Sequence, residues 1–112
     1  MSFEALLPLE MAVQRPTLTQ EPTGAPKRVW ATVSGYSAVP CRLEAFSSTE
    51  RLLAGREGNV ELWHLYYGPD YALQPYDRII VDDTTYEVEG PPKAMYDSAG
   101  IHHYEADVIR RT

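Results

Sequence analysis

The sequence contains a single cysteine, Cys41, among its 112 residues. No internal disulfide can form, which fits assembly in a reducing cytosol. Runs of Lys and Arg are missing, and the formal net charge is −6. An acidic surface repels phosphate, so tight nucleic-acid binding by the lone chain is excluded, whereas an acidic wall that DNA slides past is not. No apolar stretch approaches the roughly 20 residues of a membrane span. The opening "MSFEALLPLE" has no basic leader and no long apolar core, so it does not read as a signal peptide. Phosphate-loop, nucleophile-elbow and zinc-protease patterns are also missing, which argues against an enzyme.

What is there is ordinary globular composition, 44% apolar and 23% charged, enough for one domain over residues 1–112. Eight tyrosines and two tryptophans favour strands and protein interfaces. The charge is uneven. Residues 1–67 carry seven acids and six bases, whereas residues 68–112 carry nine acids and four bases. Most of the negative charge therefore sits in the second part.

Alternation of apolar and polar residues marks the strands. Leu9, Met11 and Val13 share one face of a first strand that ends at Arg15. "PTLTQEPTGAP", from Pro16 to Pro26, reads as a long exposed loop because it holds three prolines and a glycine. Arg28 to Ser34 is a second strand, and "SGYS" turns the chain. Val39, Cys41, Leu43 and Ala45 share a face of a third. Ser47 and Glu50 have capping-box spacing, and with Leu52 and Leu53 they predict a short helix over Ser48–Ala54, ended by Gly55. Asn59 to Tyr67 is bulky on both faces: Val60, Leu62, His64 and Tyr66 on one, Trp63, Leu65 and Tyr67 on the other. A small domain rarely buries both faces of one strand, so the second set is expected at a subunit contact. "YDRIIVDDTTYEVEG" forms a hairpin in which Val81 faces Tyr86 and Ile79 faces Val88, with a turn at Asp83-Thr84 or over Asp82–Thr85. "GPPKAMYDSAG", from Gly90 to Gly100, is a second long loop. A last strand, His102 to Arg110, points Tyr104, Ala106 and Val108 inward. The fold class is all-β: a small barrel or sandwich of six or seven strands with one short helix and long loops.

Candidate chemistry is sparse. His102 and His103 are adjacent on a strand, so their rings should point to opposite faces and share no metal ion. No cofactor is expected. Asp82 and Asp83 read as solvated turn residues rather than a catalytic pair. The two proline-rich loops use about twenty residues where a small barrel needs few, which points to a role beyond connection.

The order of elements through "CRLEAFSSTERLLAGREGNVELWHLYY", "PYDRIIVDDTTYEVEGPP" and "HHYEADV" resembles the head–tail joining proteins of long-tailed bacteriophages, known as stoppers, adaptors or head-completion proteins. The similarity covers roughly Val39 to Arg110. It implies a small β-barrel with a short helix, assembled in the virion as a ring of six or twelve copies under the portal or adaptor protein. Such a ring retains DNA that passes through its lumen without specific binding. It also presents a platform to the tail terminator or tail tube protein, and it assembles in the bacterial host cytoplasm. Expected subunit or partner contacts are Trp63, Leu65, Tyr67, Tyr71 and Tyr76. Expected lumen or partner loops carry Thr17, Gln20, Glu21, Thr23, Gly24, Lys93, Met95, Tyr96 and Asp97. The alternatives are a tail terminator ring and a monomeric SH3-like adaptor that binds another protein.

Overall fold

The computed structural model describes residues 7–46 and 60–111. The predicted helix over Ser48–Ala54, with its Ser47–Glu50 cap, lies outside the described residues.

Seven strands follow one another: β1 (Leu9–Gln20), β2 (Pro26–Thr32), β3 (Val39–Ala45), β4 (Val60–Tyr67), β5 (Arg78–Val81), β6 (Thr84–Asp97) and β7 (Gly100–Arg111). All pairings are antiparallel. The sheet order is β2-β1-β3-β4-β7-β6-β5, and β5 returns to pair with β1. Six strands thus form a near-barrel ring of hydrogen bonds, with β2 attached outside it. Closure removes the free edges that an open sheet would present.

The ring depends on how β1 divides its length. Leu9 to Met11 pair with β3, Ala12 to Gln14 with β5, and Gln14 to Gln20 with β2. Gln14 has partners on both edges, Thr32 and Arg78. β2 and β3 therefore lie end to end along one edge of β1. "SGYS" turns the chain, with Tyr36 N donating to Val33 O at 2.9 Å, but β2 and β3 on either side of it run in the same direction along β1. It makes a bulge, in which Val13 N donates to Tyr36 O at 2.9 Å and Val33 N donates to Val13 O at 2.9 Å.

Alternation fills the interior. Met11, Val13, Val39, Cys41, Leu65, Tyr67, Ile79, Val81, Tyr86, Val88, Ala106 and Val108 meet in one buried cluster, joined by Leu73 from the β4–β5 connection. Burying each large apolar side chain is worth about 1.5–3 kcal/mol. Tyr104, Ala106 and Val108 point inward as their pattern predicts.

The β5–β6 hairpin forms, but its register differs from the expected one by two residues. Ile79 faces Tyr86 and Val81 faces Thr84. The turn is Asp82-Asp83, with φ of 49° and 64°. A two-residue turn that matches strand twist needs positive φ at both positions, which Asp tolerates and β-branched Thr84 does not. A two-residue shift preserves face parity, so the buried set is unchanged.

The two expected loops are corrected to strands. Residues 16–20 extend β1 and pair with 26–30, and only residues 21–25 turn. Thr17, Thr19, Val29 and Trp30 supply β-favouring side chains, and Pro16 is tolerated in a ribbon with open edges. Gly24 takes φ 89° in that turn, a conformation open to glycine. Residues 93–97 pair with 100–105. Pro91 and Pro92 fall where the ladder is interrupted between Glu89 and Lys93, so their missing N–H groups cost no pairing. Gly90, at φ 77°, begins that bulge.

Leu65→Ala, at a fully buried position, should cost about 2–5 kcal/mol. Leu18→Ala, at an exposed one, should change stability by less than about 0.5 kcal/mol. Urea unfolding followed by tryptophan fluorescence distinguishes them. Equal midpoints would contradict the inward face of β4.

Candidate functional site

The structure inverts the expected faces of β4. Leu65 and Tyr67 are fully buried, and Trp63 is half-buried against the core, its ring edge-on to Tyr86 at 6.1 Å. None of the three is a surface anchor in the single chain. Antiparallel register explains why. Leu65 lies between Leu43 of β3 and Ala106 of β7, which are inward residues. Alternation within β4 was ambiguous because both faces are bulky. Its neighbours decide the matter.

The outer face of β3, β4 and β7 is polar around His64 and Tyr66, whereas Leu62 and its partner Ile109 on the same face are buried outside the main core cluster. Tyr66 Oη donates to Glu44 Oε2 at 3.1 Å, and His64 Nδ1 lies 3.3 Å from Asp107 Oδ1. Phe46 stacks on His64 at 4.0 Å. Desolvation first, and then the hydrogen bond to Glu44, pushes the Tyr66 phenol from its ordinary 10.0 up to about 12. His102 and His103 do not point to opposite faces. Met95 pairs with His103 and Tyr96 with Ile101, so His102 is the extra residue of a bulge. A bulge brings successive side chains to one side, and the two Nδ1 atoms lie 2.8 Å apart. His103 Nε2 also meets Glu105 Oε2 at 3.1 Å. Among the described residues no group of three or more metal-ligating side chains converges.

Exposed apolar side chains gather on two hairpin arms instead. The first arm is the outer part of β1–β2, carrying Leu18 and Val29; the second is the tip of β6–β7, carrying Met95, Tyr96 and Ile101. Strand polarity sets both arms at one end of the barrel. β1, β4 and β6 run toward that end, and the turn at Asp82-Asp83 lies at the other. The β4–β5 connection, residues 68–77, sits at the same end as the arms.

A buried charge fixes that connection. Asp77 is the one buried charged residue among those described, with its side chain wholly enclosed. Arg15 approaches it in bidentate fashion, Nε to Oδ1 at 2.9 Å and Nη2 to Oδ2 at 3.0 Å. Gln74 N donates to Asp77 Oδ2 at 2.8 Å. The hydrogen bond to Asp77 raises the Arg15 pKa further. The Ala72 amide donates to Tyr36 Oη at 3.0 Å, and Tyr36 packs edge-on to Tyr71 at 5.2 Å. Tyr71 is therefore a half-buried packing residue, whereas Tyr76 is 75% exposed.

Between the first arm and this connection lies a cleft of about 480 Å³, lined by Arg15, Pro16, Leu18, Arg28, Gln74, Tyr76 and Asp77. A smaller hollow of about 160 Å³ continues past Arg28 to Trp30 and Pro75. The Arg78 guanidinium sits 4.2 Å above the Trp30 ring and that of Arg28 5.7 Å from it. Arg78 Nε also donates to Gln14 Oε1 at 2.7 Å. Each cation–π contact is worth about 0.5–1 kcal/mol at an exposed site.

The expected loop residues divide between the arms. Thr17, Gln20, Glu21, Thr23 and Gly24 are exposed along the first, and Lys93, Met95, Tyr96 and Asp97 along the second. Sequence reasoning missed Leu18, Arg28, Trp30 and the Arg15–Asp77 pair. One signal was available: Arg15 continues the inward parity of Met11 and Val13, and a charge on an apolar face calls for a partner.

The core adds two titrating groups. Burial pushes the Cys41 thiol from its ordinary 9.0 up to about 12 and raises the Tyr67 phenol as well. The Leu73 backbone eases the cost for Tyr67, but the hydroxyl makes no hydrogen bond of good geometry, so desolvation dominates.

No protein-family model matches the sequence, and no curated protein matches it. Solved structures do share the fold. Protein SF1141 from Shigella flexneri 2a is 18% identical with a TM-score of 0.66, over 94% of this chain and 92% of that one. A chain of the virion of the native gene transfer agent particle is 14% identical with a TM-score of 0.64, over 93% and 96%. Protein xkdH of the phage-like element PBSX from Bacillus subtilis is 14% identical with a TM-score of 0.51, over 91% and 92%. The chain is thus similar in fold to a protein of a phage-like element and to a chain of a gene-transfer-agent virion along nearly its whole length.

Arg15→Ala, which strands the Asp77 carboxylate, should cost about 3 kcal/mol. Arg42→Ala, whose bridge to Glu44 is solvated on both sides, should cost less than about 0.5 kcal/mol. Denaturant midpoints compare the two. Cys41 and Tyr67 hold their protons more tightly folded than unfolded, so the unfolded chain releases them first. Stability present below pH 9 should decline as pH rises from 9 through about 12. The native thiol should also resist a disulfide reagent at pH 8 until the chain is unfolded. Rapid native labelling, or a melting temperature flat to pH 11, would contradict this.

Proposed function

We propose that the chain is a structural subunit of a tailed-phage-type virion that acts at the head–tail joint, as a stopper or head-completion ring beneath the portal. The observation that carries this reading is the pair of arms at one end of a closed barrel, each ending in solvated apolar side chains. The six-strand ring offers a partner no edge of its own, so adhesion falls to the arms, with their open edges and apolar side chains. The fold likeness to a chain of a virion, nearly end to end in both chains, supports the same reading. The charge balance fits it too: a net −6 gives DNA little to hold as it passes. The work is mechanical, and no residue is assigned a catalytic role. Repetition around a ring multiplies weak contacts through effective concentration.

The first arm is the segment we assign to the lumen or to the neighbouring protein. Its outer part can be removed without touching the core, because every buried apolar residue lies outside residues 17–29. Replacing Thr17–Val29, all of them exposed, by a two-residue Asn-Gly turn that keeps Pro16 opposite Trp30 should leave the melting temperature within a few degrees. Particles assembled with it should lose packaged DNA. Nuclease protection of the genome and electron microscopy of the particles provide the check. Full DNA retention, or density for the chain away from the joint, would refute the assignment.

A further inference from the structure

The two arms are complementary, and we propose that the second arm of one copy docks into the cleft beside the first arm of the next. This contact rests on the ring reading and gives it a specific interface. Two observations select a second copy as the occupant.

The first is charge. Arg28 lines both hollows of the cleft and has no carboxylate partner among the described residues; its one ring contact is with Trp30. At the tip of the second arm, Asp97 uses Oδ1 to accept the Ala99 amide at 2.8 Å. Its other oxygen has no cationic partner among the described residues. In a protein of net charge −6, an available guanidinium is the feature most able to select an acidic occupant.

The second is apolar matching. Leu18 and Tyr76, on the two walls of the cleft, are 72% and 75% exposed, and Tyr96, beside Asp97, is 72% exposed. Each is a large side chain held in water on a paired strand or an anchored connection. A tyrosine entering between Leu18 and Tyr76 would take apolar surface from all three out of water. It would also bring Asp97 to Arg28. Aromatic anchors of this kind dominate interface energies when a charge pair fixes their register.

Donor and acceptor surfaces are different parts of the chain, so the contact is head-to-tail. It closes into a ring if the rotation per subunit divides a full turn. An isolated pair gains one such contact, so association in dilute solution is weak and ring closure strengthens it.

Cysteine cross-linking of the full-length protein tests the pairing, and Cys41 can stay because it is buried. Leu18→Cys and Tyr96→Cys variants are oxidised separately and as an equal mixture. The mixture should give the cross-linked dimer as its main product, with little from either variant alone. Sedimentation equilibrium supplies a second readout. Arg28→Glu and Asp97→Lys should each weaken association about tenfold, and mixing or combining them should restore it. Circular dichroism verifies folding, since both changes are on the surface. Like-with-like cross-links in equal yield, no cross-link at all, or charge reversals without effect would overturn the contact. If the contact fails while microscopy still finds the chain at the joint, the connector reading stands alone. If cross-links form and the joint lacks the chain, the contact stands and the connector reading falls.

Discussion

The near-closed ring depends on β1 serving two edges at once. Residues 9–11 pair with β3 on one edge and residues 12–14 with β5 on the other, and at Gln14 the β3 edge passes to β2. From that point the strand leaves the barrel and becomes an arm. Val13 is the hinge of this arrangement. Its backbone bonds hold the 33–36 bulge, and its side chain lies in the core. Because the same strand closes the ring and projects beyond it, the arm inherits its direction from the core.

The Arg15–Asp77 pair couples that core to the surface. A carboxylate removed from water is costly unless a cation and further donors meet it. Here Arg15 and the Gln74 amide do so. The pairing holds residues 74–77 against β1, which leaves Tyr76 facing solvent next to Leu18. The exposed cleft thus follows from a buried charge.

The apolar surplus of the sequence is real, but its location differs from the expected one. The interior absorbs Leu65 and Tyr67, and the surplus emerges at Leu18, Val29, Tyr76, Met95, Tyr96 and Ile101. All of these lie on the arms or beside them. The net negative charge of the chain opposes non-specific association of such a surface through like-charge repulsion. The polar part of the outer face of β3, β4 and β7, with its histidines and carboxylates, is by contrast satisfied within the chain.

By itself the sequence determined the all-β class, the seven strand cores, the inward residues of β1, β3, β5, β6 and β7, and the presence of the last hairpin before Gly90. Period-two alternation carries that information locally, and each strand with one apolar face is unambiguous. Tertiary structure decided the rest. The face of β4 came from its neighbours, because its own pattern is bulky on both sides. The two proline-rich stretches became strands because partners across each hairpin supplied pairing that local propensity did not predict. The β5–β6 register was set by which residues tolerate positive φ in the turn, and the meeting of His102 with His103 by a bulge. The cleft joins residues more than fifty positions apart, such as Leu18 and Tyr76. No spacing along the chain can encode such a contact, since barrel closure alone brings its two walls together.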